Sequence, residues 1–238
     1  MKALILALGF LTRLPMPRVA ADEADFAAAI RLYPVAGLVV GTIVAGAAWL
    51  GQHIDPWAGA LAGLAAWVWV TGALHLDGLA DLADGLGAAH GDRSRLLAVM
   101  AEPQIGSFGV VALVMQLLAK LVLLHAMPAR AWPMLALIPA AARVGPLVWA
   151  RVLPPLRPGG LGALVARAVR PFDMIAWLLA AILLGLACPP IAVTPLLILP
   201  LSFWFRRRLG GVTGDVHGAG IELTETGLLI VALLYLAS

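Results

Sequence analysis

Charged side chains are scarce in this sequence: 16 lysines and arginines with 13 aspartates and glutamates make up 12% of 238 residues. A soluble domain carries about a quarter charged residues. The shortage excludes a soluble globular domain. With 62% hydrophobic residues and a mean hydropathy of +0.98, the chain reads as an integral membrane protein. Cysteine is nearly absent too. Cys188 stands alone in an apolar run beside Pro189 and Pro190, which excludes an intrachain disulfide and any cysteine-built metal site. No internal repeat, low-complexity tail or second domain is visible, so residues 1–238 read as one membrane-embedded domain. The net charge of +3 does not point to nucleic acid, because arginines scattered on a hydrophobic chain mark the cytoplasmic face of a bilayer. The N-terminal MKALILALGFLTRLPMP has a short apolar run but no small-residue cleavage site before Arg13, and reads as an interfacial helix.

What is abundant is apolar run. About 20 residues cross the hydrocarbon as a helix, and seven segments approach that: Tyr33–Gln52, Trp57–Leu76, Ile105–Ala126, Ala131–Ala150, Phe172–Cys188, Ile191–Phe205 and Leu223–Ala237. The expected fold is an all-α, polytopic bundle of about six to seven transmembrane helices plus the short N-terminal interfacial helix. The basic residues alternate between connections. Arg13, Arg18 and Arg31, then Arg93 and Arg95, then Arg151, Arg157, Arg167 and Arg170, then Arg206, Arg207 and Arg208 share one side; the other holds only Arg130. The positive-inside rule makes the basic side cytoplasmic. It also places HLDGLADLADG and GDVHGAGIELTE together on that side.

These two stretches hold most of the chemistry. On a helix, residues four and seven apart lie within about 40° of one another, so Asp77, Asp81 and Asp84 form one stripe. Asp215 and Glu222 repeat the spacing, with Glu225 on the flank. Neither stripe has lysine or arginine partners at helical spacing, and the rest of the first helix is apolar. Carboxylates clustered at a membrane edge need a compensating cation, or raised pKa values, to coexist. An all-oxygen set without cysteine suits Mg²⁺ or Mn²⁺, with Ca²⁺ as a further alternative. Asp77, Asp81, Asp84, Asp215, Glu222 and Glu225 are therefore expected as metal ligands, and phosphoryl transfer as the chemistry. Proton or sodium relay, and a plain solvated face, are the other readings.

Lys120 and Arg143 fall within expected spans, where an unpaired charge costs at least about 2.5–3.5 kcal/mol. They are read as phosphate contacts, with internal pairing to one of the aspartates as the alternative for Lys120. Arg13 and Arg151 join them as substrate-binding residues, as do Gly106 and Gly109 of IGSFG, which opens a helix whose N-terminus would attract an anion. His75 is read as general base or hydrogen-bonding partner of the acids, with a core histidine bonded to a carbonyl as the alternative, beside Asp81 and Asp84 as catalytic carboxylates; His217 has similar standing.

The combination FLTRLPMP, YPVAGLVVG, TGALHLDGLADLADGLGAAHGDRSRLLAVM, IGSFGVVALVMQLLAK and GDVHGAGIELTE, in that order, resembles the cobalamin synthase family of adenosylcobinamide-GDP ribazoletransferases. The resemblance covers nearly the whole chain. It implies a Mg²⁺-dependent, multi-pass inner-membrane enzyme with its site facing the cytoplasm. Its substrates would be adenosylcobinamide-GDP and α-ribazole or α-ribazole 5′-phosphate, and its partners membrane lipids, with no nucleic acid. Self-association, or association with other cobalamin-assembly enzymes, is left open. The family's Met-Lys-Asp-Ser-Arg-Ile-Gly is here Met100, Ala101, Glu102, Pro103, Gln104, Ile105 and Gly106. Two cations are missing, so others, such as Arg93, Arg95 or Arg143, would have to hold the diphosphate. The family's Thr after Gly-Asp is Val216 here. A CDP-alcohol phosphotransferase is the nearest rival, but Ala83-Asp84-Gly85 continues without that family's later aspartates at four-residue spacing. An ion-coupled transporter is the rival of a different class, and predicts internal repeats that are not visible.

Overall fold

The computed structural model describes all 238 residues as helices and connecting loops, without a β-sheet. In chain order the helices are α1 (Lys2–Leu11), α2 (Glu23–Ile30), α3 (Tyr33–Gly51), α4 (Pro56–Thr71), α5 (Leu74–Ala89), α6 (Arg93–Val99) and α7 (Ser107–Ala126). They continue as α8 (Trp132–Ala142), α9 (Val144–Val152), α10 (Leu161–Ala168), α11 (Pro171–Leu184), α12 (Pro189–Ala192), α13 (Thr194–Arg208) and α14 (Gly214–Ala237). Five helical stretches are long and apolar enough to cross a membrane: α3, α7, α8 with α9, α12 with α13, and α14. A sixth is the bent pair α4–α5 taken as one span. The architecture is thus the polytopic helical bundle expected.

Three expected spans differ in shape. Trp57–Leu76 is not one straight helix: α4 stops at Thr71, and α5 leaves at 85° to it. The break is made by two successive left-handed residues, Gly72 (φ 60°) and Ala73 (φ 59°). Glycine adopts that conformation freely, whereas alanine pays roughly 1–2 kcal/mol for it. The backbone N–H of Arg13 donates to the carbonyl of Val70 at 2.7 Å, so the chain after α1 satisfies an acceptor that the break exposes. Phe172–Cys188 yields only the 14-residue α11, about 21 Å long and short of a ~30 Å hydrocarbon core. Leu223–Ala237 is the second half of a 24-residue helix, because Thr213 Oγ1 accepts from Val216 N–H and starts α14 at Gly214. The acidic stretch GDVHGAGIELTE therefore lies inside a spanning helix.

Close packing in the bundle uses small residues, as membrane helices require. Gly37 and Gly41 of α3 sit directly on the backbone of α8 at Ala136, Pro139 and Ala140. Where α5 crosses α14, a Cβ on Gly78 would stand 2.6 Å from the carbonyl oxygen of Asp215. Only glycine lets the two acidic helices touch there. At the N-terminus, Asp22 and Asp25 form a capping box for α2. Lys2 bonds Asp25 at 2.5 Å, and this contact holds the Asp25 carboxyl below its ordinary value. Arg31 ties α2 to the last turn of α10 through the Ala168 carbonyl and to Asp173 of α11.

Candidate active site

The six acids of the two stripes divide into two groups. Asp84 is buried, and both of its oxygens are taken up by the start of α7: Oδ2 accepts from Gly106 N–H at 2.7 Å and Oδ1 from Gly109 N–H at 2.8 Å. Gly106, at the N-cap, has no side chain of its own to do this. The anion expected at the IGSFG helix end is therefore present, but it is Asp84. A Cβ on Gly106 would lie 2.5 Å from Asp84 Oδ1, and one on Gly109 would collide with its Oδ2. The two glycines make room for a carboxylate of the chain itself, which corrects their expected role as substrate contacts.

Glu222 and Glu225 are likewise spoken for. Glu222 Oε2 lies 2.7 Å from Lys120 Nζ and accepts from Gln116 Nε2 at 2.7 Å. Glu225 Oε2 accepts from the same Lys120 at 2.7 Å, and its Oε1 from Arg143 Nη1 at 3.1 Å. Two cations and two anions balance, all less than 5% exposed, with the Lys120 ammonium 4.2 Å from the centre of the Trp67 ring. The pairing partners of the acids come from α7 and the α8–α9 junction, so no spacing along one helix reveals them. Lys120 pairs internally, with glutamates and not with the aspartates. Arg143 also donates to the Pro139 carbonyl at 2.9 Å, which anchors it at the break between α8 and α9. Neither cation lines a surface cavity beside the aspartates, and the pairs cross-link α7, α8, α9 and α14 in fixed register.

Asp77, Asp81 and Asp215 remain. Asp77 is exposed; Asp81 and Asp215 are half-buried. Asp81 lies within electrostatic reach of Asp77, Asp215 and Asp84, and α5 packs on α14 where Gly78 meets the Asp215 backbone. Asp215 has an ion-pair contact with Arg157 Nη1 at 3.6 Å and accepts from Thr213 Oγ1 at 3.3 Å. Arg157 is held by a second bond, Nη2 to the Leu97 carbonyl at 3.1 Å. Its loop is pinned by a short bridge in which Leu156 N–H donates to Val212 O and Val212 N–H to Pro154 O. Spacing could not identify Arg157, because it reaches the acids from a loop in the RPGGLG stretch. Its place among the basic residues of the connection after Arg143 was the available signal.

Beside these groups lies a cavity of about 210 Å³, lined by Asp77, Asp215, Arg157, His75 and His217 together with Phe10, Tyr33 and residues 160–162. Gly160 caps α10 without a side-chain bond, and the N–H groups of Leu161 and Gly162 make no backbone hydrogen bond. Such a helix start suits an anion. His75 Nδ1 faces Arg143 Nη2 at 3.4 Å. A guanidinium only donates, so Nδ1 is the acceptor and the neutral ring carries its proton on Nε2. This tautomer removes His75 from the role of general base. Arg13 and Arg151 are exposed and outside this cavity, as are Arg93 and Arg95. Arg93 instead donates to the Arg207 carbonyl at 3.4 Å.

Asp77 and Asp81 accept no hydrogen bond, Asp215 is half-buried beside them, and all are hard oxygen donors. No three His, Cys, Asp or Glu side chains come close enough to hold an ion by themselves, so the six carboxylates expected as ligands do not form one metal site; a cation at Asp77, Asp81 and Asp215 would need further oxygens, such as those Mg²⁺ takes from water and substrate phosphate.

The chain matches the family model described as cobalamin-5-phosphate synthase over residues 3–233. It is 56% identical over 235 residues to a protein of Novosphingobium aromaticivorans named adenosylcobinamide-GDP ribazoletransferase, covering 97% of this chain and 95% of that one. Proteins of the same name from Thiobacillus denitrificans and Laribacter hongkongensis are 49% and 51% identical, each covering at least 97% of both chains. No solved structure matches.

Proposed function

This chain belongs to the cobalamin-5-phosphate synthase family, and we propose that it joins adenosylcobinamide-GDP to α-ribazole or α-ribazole 5′-phosphate. The products are adenosylcobalamin or its 5′-phosphate, and GMP. The observation that carries this reading is the convergence of Asp77, Asp215 and Arg157 on one cavity, with Asp81 alongside. A ribose hydroxyl of α-ribazole attacks the cobinamide-side phosphorus. Its proton passes to Asp77, which lines the cavity and has no competing partner. The bond from that phosphorus to the bridging oxygen breaks, and GMP leaves. Arg157 and the free N–H groups opening α10 receive the anionic oxygens, in place of the two cations missing from the MAEPQIG segment. Mg²⁺, or Mn²⁺ in its stead, would be held by Asp81 and Asp215 with Asp77 beside them, and when bound supplies positive charge to offset the diphosphate oxygens. Lys120, Arg143, Glu222 and Glu225 hold the helices that present these groups.

The charge bias of the connections supports a site facing the cytoplasm from the inner membrane. The test is direct. The purified protein in lipid vesicles, given adenosylcobinamide-GDP and α-ribazole, is expected to release GMP with Mg²⁺ and to stop on chelation. Absence of GMP with both substrates present would overturn the assignment, and release unaffected by chelation would remove the metal from it.

A further inference from the structure

The 210 Å³ cavity is smaller than the ~300–1,000 Å³ typical of sites for drug-sized ligands. A corrin macrocycle does not fit inside it; one bicyclic aromatic ring system does. Its lining joins an apolar aromatic wall to a buried polar group in need of a partner. The rings of Phe10 and Tyr33 lie parallel, 5° apart in plane with centroids at 6.0 Å. His75 and His217 also line it, exposed only 3% and 4%, and His75 Nε2 and both ring nitrogens of His217 have no hydrogen-bond partner. Leaving buried polar atoms unpaired is costly, and ligand sites are where such groups persist. For His75 the chemistry is specified further. Arg143 donates to Nδ1, so Nε2 carries a hydrogen and demands an acceptor.

We infer that this cavity takes the aromatic base of the nucleoside acceptor, with His75 Nε2–H donating to the unsubstituted ring nitrogen of the base. This rests on the transferase reading above. A benzimidazole ribonucleoside suits the cavity because its base offers one in-plane acceptor and is otherwise apolar. Guanine would bring a row of donors and acceptors that one His N–H and an aromatic wall leave unmet. With the base seated against His75, the ribose lies toward Asp77, two residues further along α5 and lining the same cavity. Through Arg143, the buried Lys120–Glu222–Glu225 cluster fixes the tautomer on which recognition depends.

The test compares α-ribazole with its analogue in which the free ring nitrogen is replaced by CH, both with adenosylcobinamide-GDP as donor, and reads GMP release. For the unmodified protein, KM for the nitrogen-free analogue is expected to be about tenfold higher, the effect of one buried hydrogen bond. In His75→Leu the two nucleosides should have equal KM, with KM for adenosylcobinamide-GDP changed less than about twofold. Equal use of both nucleosides by the unmodified, active protein overturns the inference without need of any variant. So does a His75→Leu defect confined to KM for adenosylcobinamide-GDP, which would place the guanine there instead. No GMP with either nucleoside would instead bring down the transferase reading, and this inference with it.

Discussion

Replacing Lys120 by methionine separates the structural role of the buried charges from a direct role in binding. The Lys120 ammonium lies 2.7 Å from both Glu222 Oε2 and Glu225 Oε2, and the residue is 2% exposed. At an effective dielectric of about 20, each such pair is worth roughly 6 kcal/mol of gross Coulomb energy. Most of that is offset by the cost of burying the ions, and removing one partner from a buried pair costs about 3–5 kcal/mol net. The loss is set by the charge left behind. Arg143 alone then faces two glutamates, and the cluster carries an uncompensated negative charge within the bilayer. Unfolding in mixed micelles by increasing SDS should show a destabilisation of that size. The double variant Lys120→Met with Glu222→Gln restores neutrality, because Arg143 with Glu225 remains a balanced pair. It should recover at least about 2 kcal/mol of the loss. The reasoning is refuted if Lys120→Met unfolds like the unmodified protein but no longer releases GMP. That result would make Lys120 a substrate contact.

Other consequences can be checked separately. Arg157→Gln removes the cation beside Asp215 and should raise KM for adenosylcobinamide-GDP about tenfold or more, measured by initial rates of GMP release, with little change in unfolding. Ala73→Gly relieves the left-handed strain at the α4–α5 break and should raise stability by about 1 kcal/mol in the same SDS titration. Gly109→Ala pushes a methyl group into the Asp84 carboxylate; a loss of roughly 1–3 kcal/mol is expected from the disrupted buried hydrogen bonds.

The fold class was legible because hydropathy and the arginine distribution are properties of the chain itself. The bend between α4 and α5 was not, since Ala73 in a left-handed conformation has no composition signal; only Gly72 hinted at it. The stripe spacing correctly put Asp77, Asp81 and Asp84 on one helix. What it could not express is that a single stripe runs from exposed Asp77 to buried Asp84, so that its members meet different surroundings. Asp84 ends at the amides of another helix, and Glu222 and Glu225 meet cations contributed by α7 and the α8–α9 junction. Such partners are set by tertiary contact. Arg157 stands among the basic residues of the connections, but its pairing with Asp215 was hidden for the same reason: it reaches Asp215 because residues 154–156 are bridged to Val212, more than fifty positions away.

The division of the acids into a reacting set and a holding set is the core of this account. It is tested most directly by the rate of GMP release per folded molecule across six neutral variants, Asp77→Asn, Asp81→Asn, Asp84→Asn, Asp215→Asn, Glu222→Gln and Glu225→Gln, with unfolding measured on each. The variants at Asp77, Asp81 and Asp215 are predicted to lose about 100-fold or more in rate with stability kept. Those at Asp84, Glu222 and Glu225 are predicted to lose stability while the folded fraction retains its rate within about tenfold. A folded Glu222→Gln or Glu225→Gln protein that is inactive, or an Asp77→Asn protein with full activity, would contradict it.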